Sequence, residues 1–288
     1  MKAVYRHELS SLFTGLTGWA FAAFLLLFAG IYTMAINIQS GVASFEYVLK
    51  NISFTFLIIV PVLTMRSVAE EKKQHTDTLL YSLPVSMTEV ALGKYAAILT
   101  VFLIPTLVIS LYPLILSAYG PLYLPAAYGA LLGFFFLGAA LIAVGIFVSS
   151  VTESQAVAAV LSFILLLVNY FLTSLSGFVS SSGLASLLAF SLLAMAFCVL
   201  VRLRTKNSFA ALMTLLAVLA VLLLCYLFFE DRFAGLFPAV LEKISLFDRF
   251  EDLTEGILDL RTLVFYVSVA AVFLFLTVQS MEKRRWNE

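Results

Sequence analysis

The segment Thr64–Lys94 has the sequence TMRSVAEEKKQHTDTLLYSLPVSMTEVALGK, a long polar interval in a chain that is otherwise mostly apolar. A run of charged residues opens it, and a short helix-like piece follows from Thr76 to Tyr81. Pro84 stops that piece because proline cannot continue a helix. Ser86 and Glu89 then have the spacing of a capping box, which starts a new helix. The segment therefore predicts a small helix of its own, between the ends of two long helices.

The composition decides what surrounds this segment. The chain has 288 residues, of which 62% are hydrophobic and only 12% charged. A soluble domain carries about 45–50% apolar and about 25% charged residues. Several runs also exceed the roughly 18 apolar residues that mark a membrane-spanning helix. We therefore predict an all-α polytopic integral membrane protein, with residues 1–288 forming a single transmembrane domain.

The apolar runs predict about eight transmembrane helices, which places both termini on the same side of the membrane. The segments on the side of the termini hold most of the 17 lysines and arginines, whereas five lie on the other side: Lys50, Arg232, Lys243, Arg249 and Arg261. Cytoplasmic loops carry the excess of positive charge, so we expect both termini and the Thr64–Lys94 segment to be cytoplasmic. The eight runs are 15–37, 49–68, 90–118, 126–149, 156–175, 184–201, 209–229 and 262–280.

Two segments outside these runs have amphipathic patterns. Residues 1–13 suit a helix that lies in the headgroup region with basic residues toward anionic lipid, and an ordinary flanking segment is the alternative. Residues 230–261 are acidic, and apolar residues between Phe233 and Phe247 follow a three-four spacing. We expect an extracellular interfacial or re-entrant helix there, or a small extracellular cap.

The sequence shows no motif typical of a catalytic or metal-binding site. No phosphate-binding loop is present around Gly93-Lys94, and the two histidines, His7 and His75, lie too far apart for a metal site. The cores of the predicted spans also lack ionisable residues, which disfavours an ion-coupled secondary transporter. Cys198 and Cys225 lie in apolar runs and are expected to be small buried hydrophobes. We therefore predict no enzymatic activity, no metal and no cofactor in this chain.

Three prolines lie within predicted spans on either side of the polar segment. Pro61 is in the second span, and Pro105 and Pro113 are in the third. Each removes a backbone hydrogen bond and favours a kink, so these positions are candidate hinges. The alternative is that prolines are simply more frequent in membrane helices.

The polar segment resembles that of the ABC-2-type ABC transporter permeases. The residues that carry the resemblance are Pro61, Thr64-Met65-Arg66, Ala69-Glu70-Glu71-Lys72, Thr76, Leu79-Leu80, Ser82-Leu83-Pro84-Val85 and Gly93-Lys94. The tail resembles the gliding-motility-type branch of the family through Phe250, Gly256, Asp259-Leu260, Tyr266, Phe273-Leu274, Leu276-Thr277 and Arg284-Arg285-Trp286. The match covers roughly residues 1–175 and 245–287. Residues 180–230 depart from the six spans usual for the family and would form an extra hydrophobic hairpin.

The resemblance implies a mechanism and partners. Such permeases bind a separate cytoplasmic ABC ATPase, which holds the ATP and Mg²⁺, through a coupling helix. Here that helix would be about Thr76–Leu83, within a cytoplasmic coupling region of residues 69–89. The implied docking residues are Thr76, Leu79, Leu80, Tyr81, Leu83 and Pro84. The charges at the root, able to pair with each other or with the ATPase, are Arg66, Glu70, Glu71, Lys72 and Lys73. Permeases of this type work in pairs, so a second copy or a related permease is expected, in a bacterial or archaeal cytoplasmic membrane.

These features together predict the transmembrane subunit of an ATP-driven exporter that does not itself hydrolyse ATP. The alternative is a non-transporting membrane component of an ABC-type complex, which transmits force or a signal. Membrane lipid is an expected partner and nucleic acid is not. An apolar lumen with an external amphipathic segment favours a lipid or another amphiphile as substrate.

Overall fold

The structure is a computed structural model, and it describes residues 1–74, 76, 85–178, 182–205, 208–228, 233–254 and 259–287. Every regular element in these ranges is helical. In chain order the helices are α1 Lys2–Thr14, α2 Leu16–Thr33, α3 Glu46–Ser53, α4 Phe56–Thr64, α5 Ala69–Lys73, α6 Met87–Ile109, α7 Leu111–Ser117, α8 Leu124–Val151, α9 Gln155–Phe178, α10 Gly183–Thr205, α11 Ser208–Phe228, α12 Leu236–Ile244, α13 Leu246–Thr254 and α14 Leu260–Asn287. The end of α2 continues as a π-helical turn, Met34–Gln39.

Within the described residues, five helices are long and apolar enough to cross a membrane: Leu16–Gln39, Met87–Ser117, Leu124–Val151, Gln155–Phe178 and Leu260–Arg285. The pair α3 and α4, bent by 56°, raises the number to six if it counts as one span. At the sixth and seventh predicted spans, the described apolar stretches are shorter, Gly183–Val199 and Met213–Leu223. The all-α class is confirmed, and the chain has the make-up of a polytopic membrane protein. The number eight stays a prediction.

Contacts divide the chain into two compact units, Met1–Val168 with Leu246–Glu288, and Asn169–Ser245. In the first unit α8 is the central helix, since most of its side chains are buried. Its glycines let neighbouring helices approach closely. A Cβ at Gly138 would lie 2.4 Å from the ring of Phe102, and one at Gly145 would lie 2.3 Å from Thr64 Oγ1. Close packing against small residues is what holds helices together where lipid removes the hydrophobic driving force.

An aromatic cluster fills the space between α4, α6 and α8. The ring of Phe56 lies 4.6 Å from that of Phe134 and 5.6 Å from that of Phe102, between centroids. All three side chains are fully buried. Aromatic pairs in this range add about 0.5–1.5 kcal/mol each beyond the burial of their area. The cluster therefore fixes the broken span α3–α4 against the two long helices.

The predicted amphipathic helix between Phe233 and Phe247 is interrupted. Gly235, at φ 74°, precedes α12, and Ser245, at ψ 123°, ends it. A second helix, α13, then buries Leu246, Phe247, Phe250 and Leu253. Within the first unit α13 packs on α8 and α3, and Tyr266 donates a 2.8 Å hydrogen bond to the carbonyl of Leu246. Local periodicity did not reveal the break because the apolar spacing runs through it. Residues 230–232 and 255–258 of this segment lie outside the described residues.

In the second unit α10 and α11 pack on each other. The backbone N–H of Phe237 donates to Ser186 Oγ at 3.3 Å, and the rings of Phe190 and Phe237 meet edge to face at 5.2 Å. Ser176 Oγ donates to the carboxylate of Glu242 at 3.2 Å. Helix α12 is thereby held to the end of α9 and to α10.

Candidate functional site

The polar segment Thr64–Lys94 joins α4 to α6. Its first part forms a turn and the short helix α5, and its last part is the beginning of α6. Ser86 caps α6, since its hydroxyl accepts a hydrogen bond from the N–H of Glu89 at 3.3 Å. The carboxylate of Glu89 instead lies 3.8 Å from the amino terminus of Met1. Half of the predicted capping box is therefore confirmed.

An ion triad, Glu8, Glu71 and Lys94, lies at the root of this segment, with the ammonium buried and the two carboxylates 15% and 26% exposed. Lys94 is 1% exposed on α6, and its ammonium donates to the Glu71 carboxylate at 2.6 Å and to the Glu8 carboxylate. It also donates to the carbonyl of Ser67 at 2.7 Å. All three of its N–H groups thus have an acceptor, which a buried ammonium requires. The triad joins α1, α5 and α6.

A serine pair, Ser149 and Ser150, binds α5 from the other side. The hydroxyl of Ser149, near the end of α8, accepts from the N–H groups of Val68 and Ala69 at 3.1 and 3.0 Å. It donates to the carbonyl of Met65 at 3.2 Å. The first N–H groups of a helix have no partner within the helix, and α5 has no side-chain cap of its own. A side chain about 80 residues away along the chain supplies that cap.

The C-terminal end of α8 accepts hydrogen bonds from α5 and α14. The carbonyl of Ser150 accepts from the ammonium of Lys72, on α5, and from the hydroxyl of Ser280, on α14, at 3.0 Å. A cation at the C-terminus of a helix is stabilised by the helix dipole and by the unpaired carbonyls. Arg284 of α14 also pairs with Glu153 at 2.9 Å. Helices α5, α8 and α14 are thereby joined at one end.

The predicted root charges are therefore in different environments. Glu71 belongs to the ion triad, and Lys72, only 5% exposed, binds the end of α8. Glu70 accepts from the amide of Gln74 at 3.3 Å. Arg66 and Lys73 are exposed. The charges of this run do not all belong to one solvated face, because α5 has buried contacts on two sides.

Of the predicted docking residues, only Thr76 is described. It is exposed, and its N–H and hydroxyl donate to the carbonyl of Glu71 at 3.0 and 3.3 Å. The other docking residues, Leu79, Leu80, Tyr81, Leu83 and Pro84, lie outside the described residues. Their role in docking stays a prediction.

The predicted hinges lie inside helices and are buried. Pro61 is in α4, Pro105 in α6 and Pro113 in α7. The 56° bend falls between Ser53 and Phe56, one to two turns before Pro61. At that bend the hydroxyls of Ser53 and Thr55 donate to main-chain carbonyls three residues earlier, at 2.6 and 2.7 Å. Side-chain bonds of this kind bend helices.

Sequence reasoning missed Glu8, Ser149, Ser150 and Ser280 as parts of the site. Each is a single polar residue at the edge of an apolar run, and such residues are common. Only the pairing with a distant helix distinguishes them. Among the described residues, no group of three or more His, Cys, Asp or Glu side chains is arranged to hold a metal.

Comparison of the chain with family models, with characterised proteins and with solved structures found no match. A functional assignment therefore depends on the contacts around α5 and on the motifs of the Thr64–Lys94 segment.

Proposed function

We propose that this chain is the membrane subunit of an ATP-driven ABC exporter, in which a separate cytoplasmic ATPase acts on the polar segment Thr64–Lys94. One observation supports this most: helix α5, at the root of the segment, is bound on two sides. The ion triad joins it to α1 and α6, and the serine pair joins it to α8. A linker that only connects two spans has no need of such contacts.

The physical consequence is a rigid connection. A displacement applied between α5 and α6 acts on α1, α6 and α8 together, because the buried ammonium of Lys94 holds both Glu71 of α5 and Glu8 of α1, and Ser149 of α8 binds the start of α5 through short, buried hydrogen bonds. Buried interfaces of this kind shift as units because packed cores resist continuous deformation. Helices that move together are what alternating access across a membrane requires.

The resemblance to ABC-2-type permeases adds the rest of the proposal. It comprises eight spans with both termini in the cytoplasm, a bacterial or archaeal cytoplasmic membrane, and a second copy or a related permease beside the first. The ATPase binds ATP and Mg²⁺, whereas this chain binds neither. The apolar residues of this chain that dock on the ATPase are Leu79, Leu80 and Leu83, with Tyr81 as an additional anchor.

The experiment that tests the docking is co-purification of the tagged chain from native membrane. We expect wild type to retain a nucleotide-binding partner and Leu79→Asp/Leu83→Asp to lose it, because two buried carboxylates disrupt an apolar interface. The matched control is Gln74→Asp/Thr88→Asp, which adds the same charge at exposed polar positions on either side of the docking residues. An unchanged partner in the first variant, or no ATPase in any sample, would contradict the proposal.

A non-transporting complex that transmits force or a signal is the second candidate, favoured by the gliding-motility-like tail. It uses the same docking contact, so co-purification does not separate the two. A measurement of substrate-stimulated ATP hydrolysis by the reconstituted complex separates the exporter from the non-transporting complex. Stimulation by an added amphiphile supports the exporter, and ATP hydrolysis that is indifferent to every amphiphile supports the second candidate.

A further inference from the structure

A cleft of about 950 Å³ opens between the α1–α2 elbow and the junction of α4 with α5. It lies in the first unit and at the level where two apolar helices end, since α2 begins at Leu16 and α4 ends at Thr64. Trp19, 61% exposed, lies in the first turn of α2. Tryptophan is enriched where membrane and water meet. The ligand with the highest concentration at this depth is a phospholipid headgroup.

The lining of the cleft has an apolar part and a polar part. Leu12, Leu63 and Ile98 belong to the first, and Arg66 and Glu70 to the second. Arg66 is exposed and has no ion-pair or hydrogen-bond partner in the described part of the chain. Glu70 accepts only the 3.3 Å bond from Gln74 within the same ranges. A cation and a carboxylate are therefore both available to a ligand.

The N-terminus of α2 adds a second set of donors. Gly15 and Thr17 line the cleft, and the N-cap Gly15 makes no side-chain cap. The first turn of this 18-residue helix also holds no acidic residue. Unpaired N–H groups and the positive end of the helix dipole favour a phosphate there. Ser67, only 6% exposed, also lines the cleft, and in the described ranges its hydroxyl has no hydrogen-bond partner.

We propose that this cleft binds a zwitterionic phospholipid of the phosphatidylethanolamine class. The phosphate lies at the N-terminus of α2 and Arg66, the primary ammonium lies at Glu70, and the acyl chains follow the apolar lining into the membrane. The charges around the cleft select against an anionic headgroup. The cleft is lined by one cation, Arg66, and three carboxylates, Glu8, Glu70 and Glu71. Even with the buried Lys94 that pairs with Glu8 and Glu71 included, the net charge is −1. A choline headgroup, which has no N–H donor, fits Glu70 less well.

The test is native mass spectrometry of the full chain released from nanodiscs that contain phosphatidylethanolamine, phosphatidylcholine or phosphatidylglycerol. We expect bound phosphatidylethanolamine to survive release and the other two to be lost more readily. Arg66→Gln and Glu70→Gln should each reduce the retained lipid at least about fivefold, because each removes a charged contact. The matched control is Arg285→Gln, an exposed arginine of α14 outside the cleft, which should retain lipid as wild type does.

Equal retention of phosphatidylglycerol or phosphatidylcholine would overturn the proposal, as would variants that retain lipid like wild type. A further arm adds soluble glycerophosphoethanolamine, which we expect to compete poorly because it has no acyl chains. If it displaced the lipid at similar concentration, the site would bind a free phosphoamine and the lipid assignment would be wrong. None of these outcomes depends on a partner ATPase.

Discussion

Lys94 is the residue whose loss the structure makes most costly. Replacing it with methionine keeps the unbranched stem as far as Cε but leaves the carboxylates of Glu8 and Glu71 without their ammonium. At 2.6 Å from Glu71, the attraction amounts to about 6 kcal/mol for an effective dielectric constant near 20, before the cost of burying the charges. Removing one member of a buried pair typically destabilises a protein by about 3–5 kcal/mol.

The expected consequence of Lys94→Met is therefore a fall in the midpoint of thermal unfolding between about 6 and 20 °C, since about 1 kcal/mol corresponds to about 2–4 °C in a chain of this size. Circular dichroism of the purified protein in mild detergent measures it. The matched control is Lys50→Met, which breaks a 2.9 Å pair with Glu251 whose partners are 39% and 51% exposed. Exposed pairs contribute about 0.2–1 kcal/mol, so this midpoint should move little.

A triple variant separates the charge effect from the loss of packing. Lys94→Met/Glu8→Gln/Glu71→Gln removes all three charges and should lie within about 2 kcal/mol of wild type, because apolar or neutral replacements of a whole buried ion network are often tolerated. The reasoning is refuted if Lys94→Met is as stable as wild type. It is also refuted if the triple variant is as unstable as the single one.

Three further predictions concern the same unit. Ser149→Ala should cost about 1–3 kcal/mol and speed amide exchange in the turn before α5, where two N–H groups lose their acceptor. Ser150→Ala is the control for this variant, because Ser150 binds α5 through its main-chain carbonyl and not through its hydroxyl. Equal amide exchange before α5 in both variants would contradict the prediction. Gly138→Ala should lower the free energy of unfolding by about 1–3 kcal/mol, seen as a lower unfolding midpoint, because the added methyl group overpacks against Phe102. Gly30→Ala should leave the midpoint unchanged, because the space around Gly30 is open. Tyr266→Phe removes the 2.8 Å hydrogen bond to the carbonyl of Leu246 at the start of α13 and should lower the free energy of unfolding by about 1 kcal/mol. We expect faster amide exchange in α13 alone. Unchanged exchange in α13 would show that this hydrogen bond does not stabilise the helix.

Much of the candidate site was accessible from local patterns. The charges from Glu70 to Lys73 and the capping position at Ser86 lie within one segment, and a short helix was expected there. The helix expected from Thr76 to Tyr81 lies outside the described residues except for Thr76, and α5 forms earlier, at the charged run. Ser86 caps α6 as predicted. The pairing of Glu71 was not predictable, because its partner Lys94 lies beyond the segment's helix and acquires its role only when α6 packs beside α5 and α1.

The sequence by itself determined that the chain is helical and suited to a membrane, since long apolar runs leave no other way to satisfy the backbone in lipid. It also located the start of α6, because the capping residue Ser86 lies next to the helix that it caps. Only the tertiary structure decided which faces meet: that Glu8 reaches Lys94 across 86 positions, and that Ser149 caps α5 across 80. Helix formation depends on residues within a turn or two, whereas a polar contact between helices depends on the packing of segments far apart in the chain.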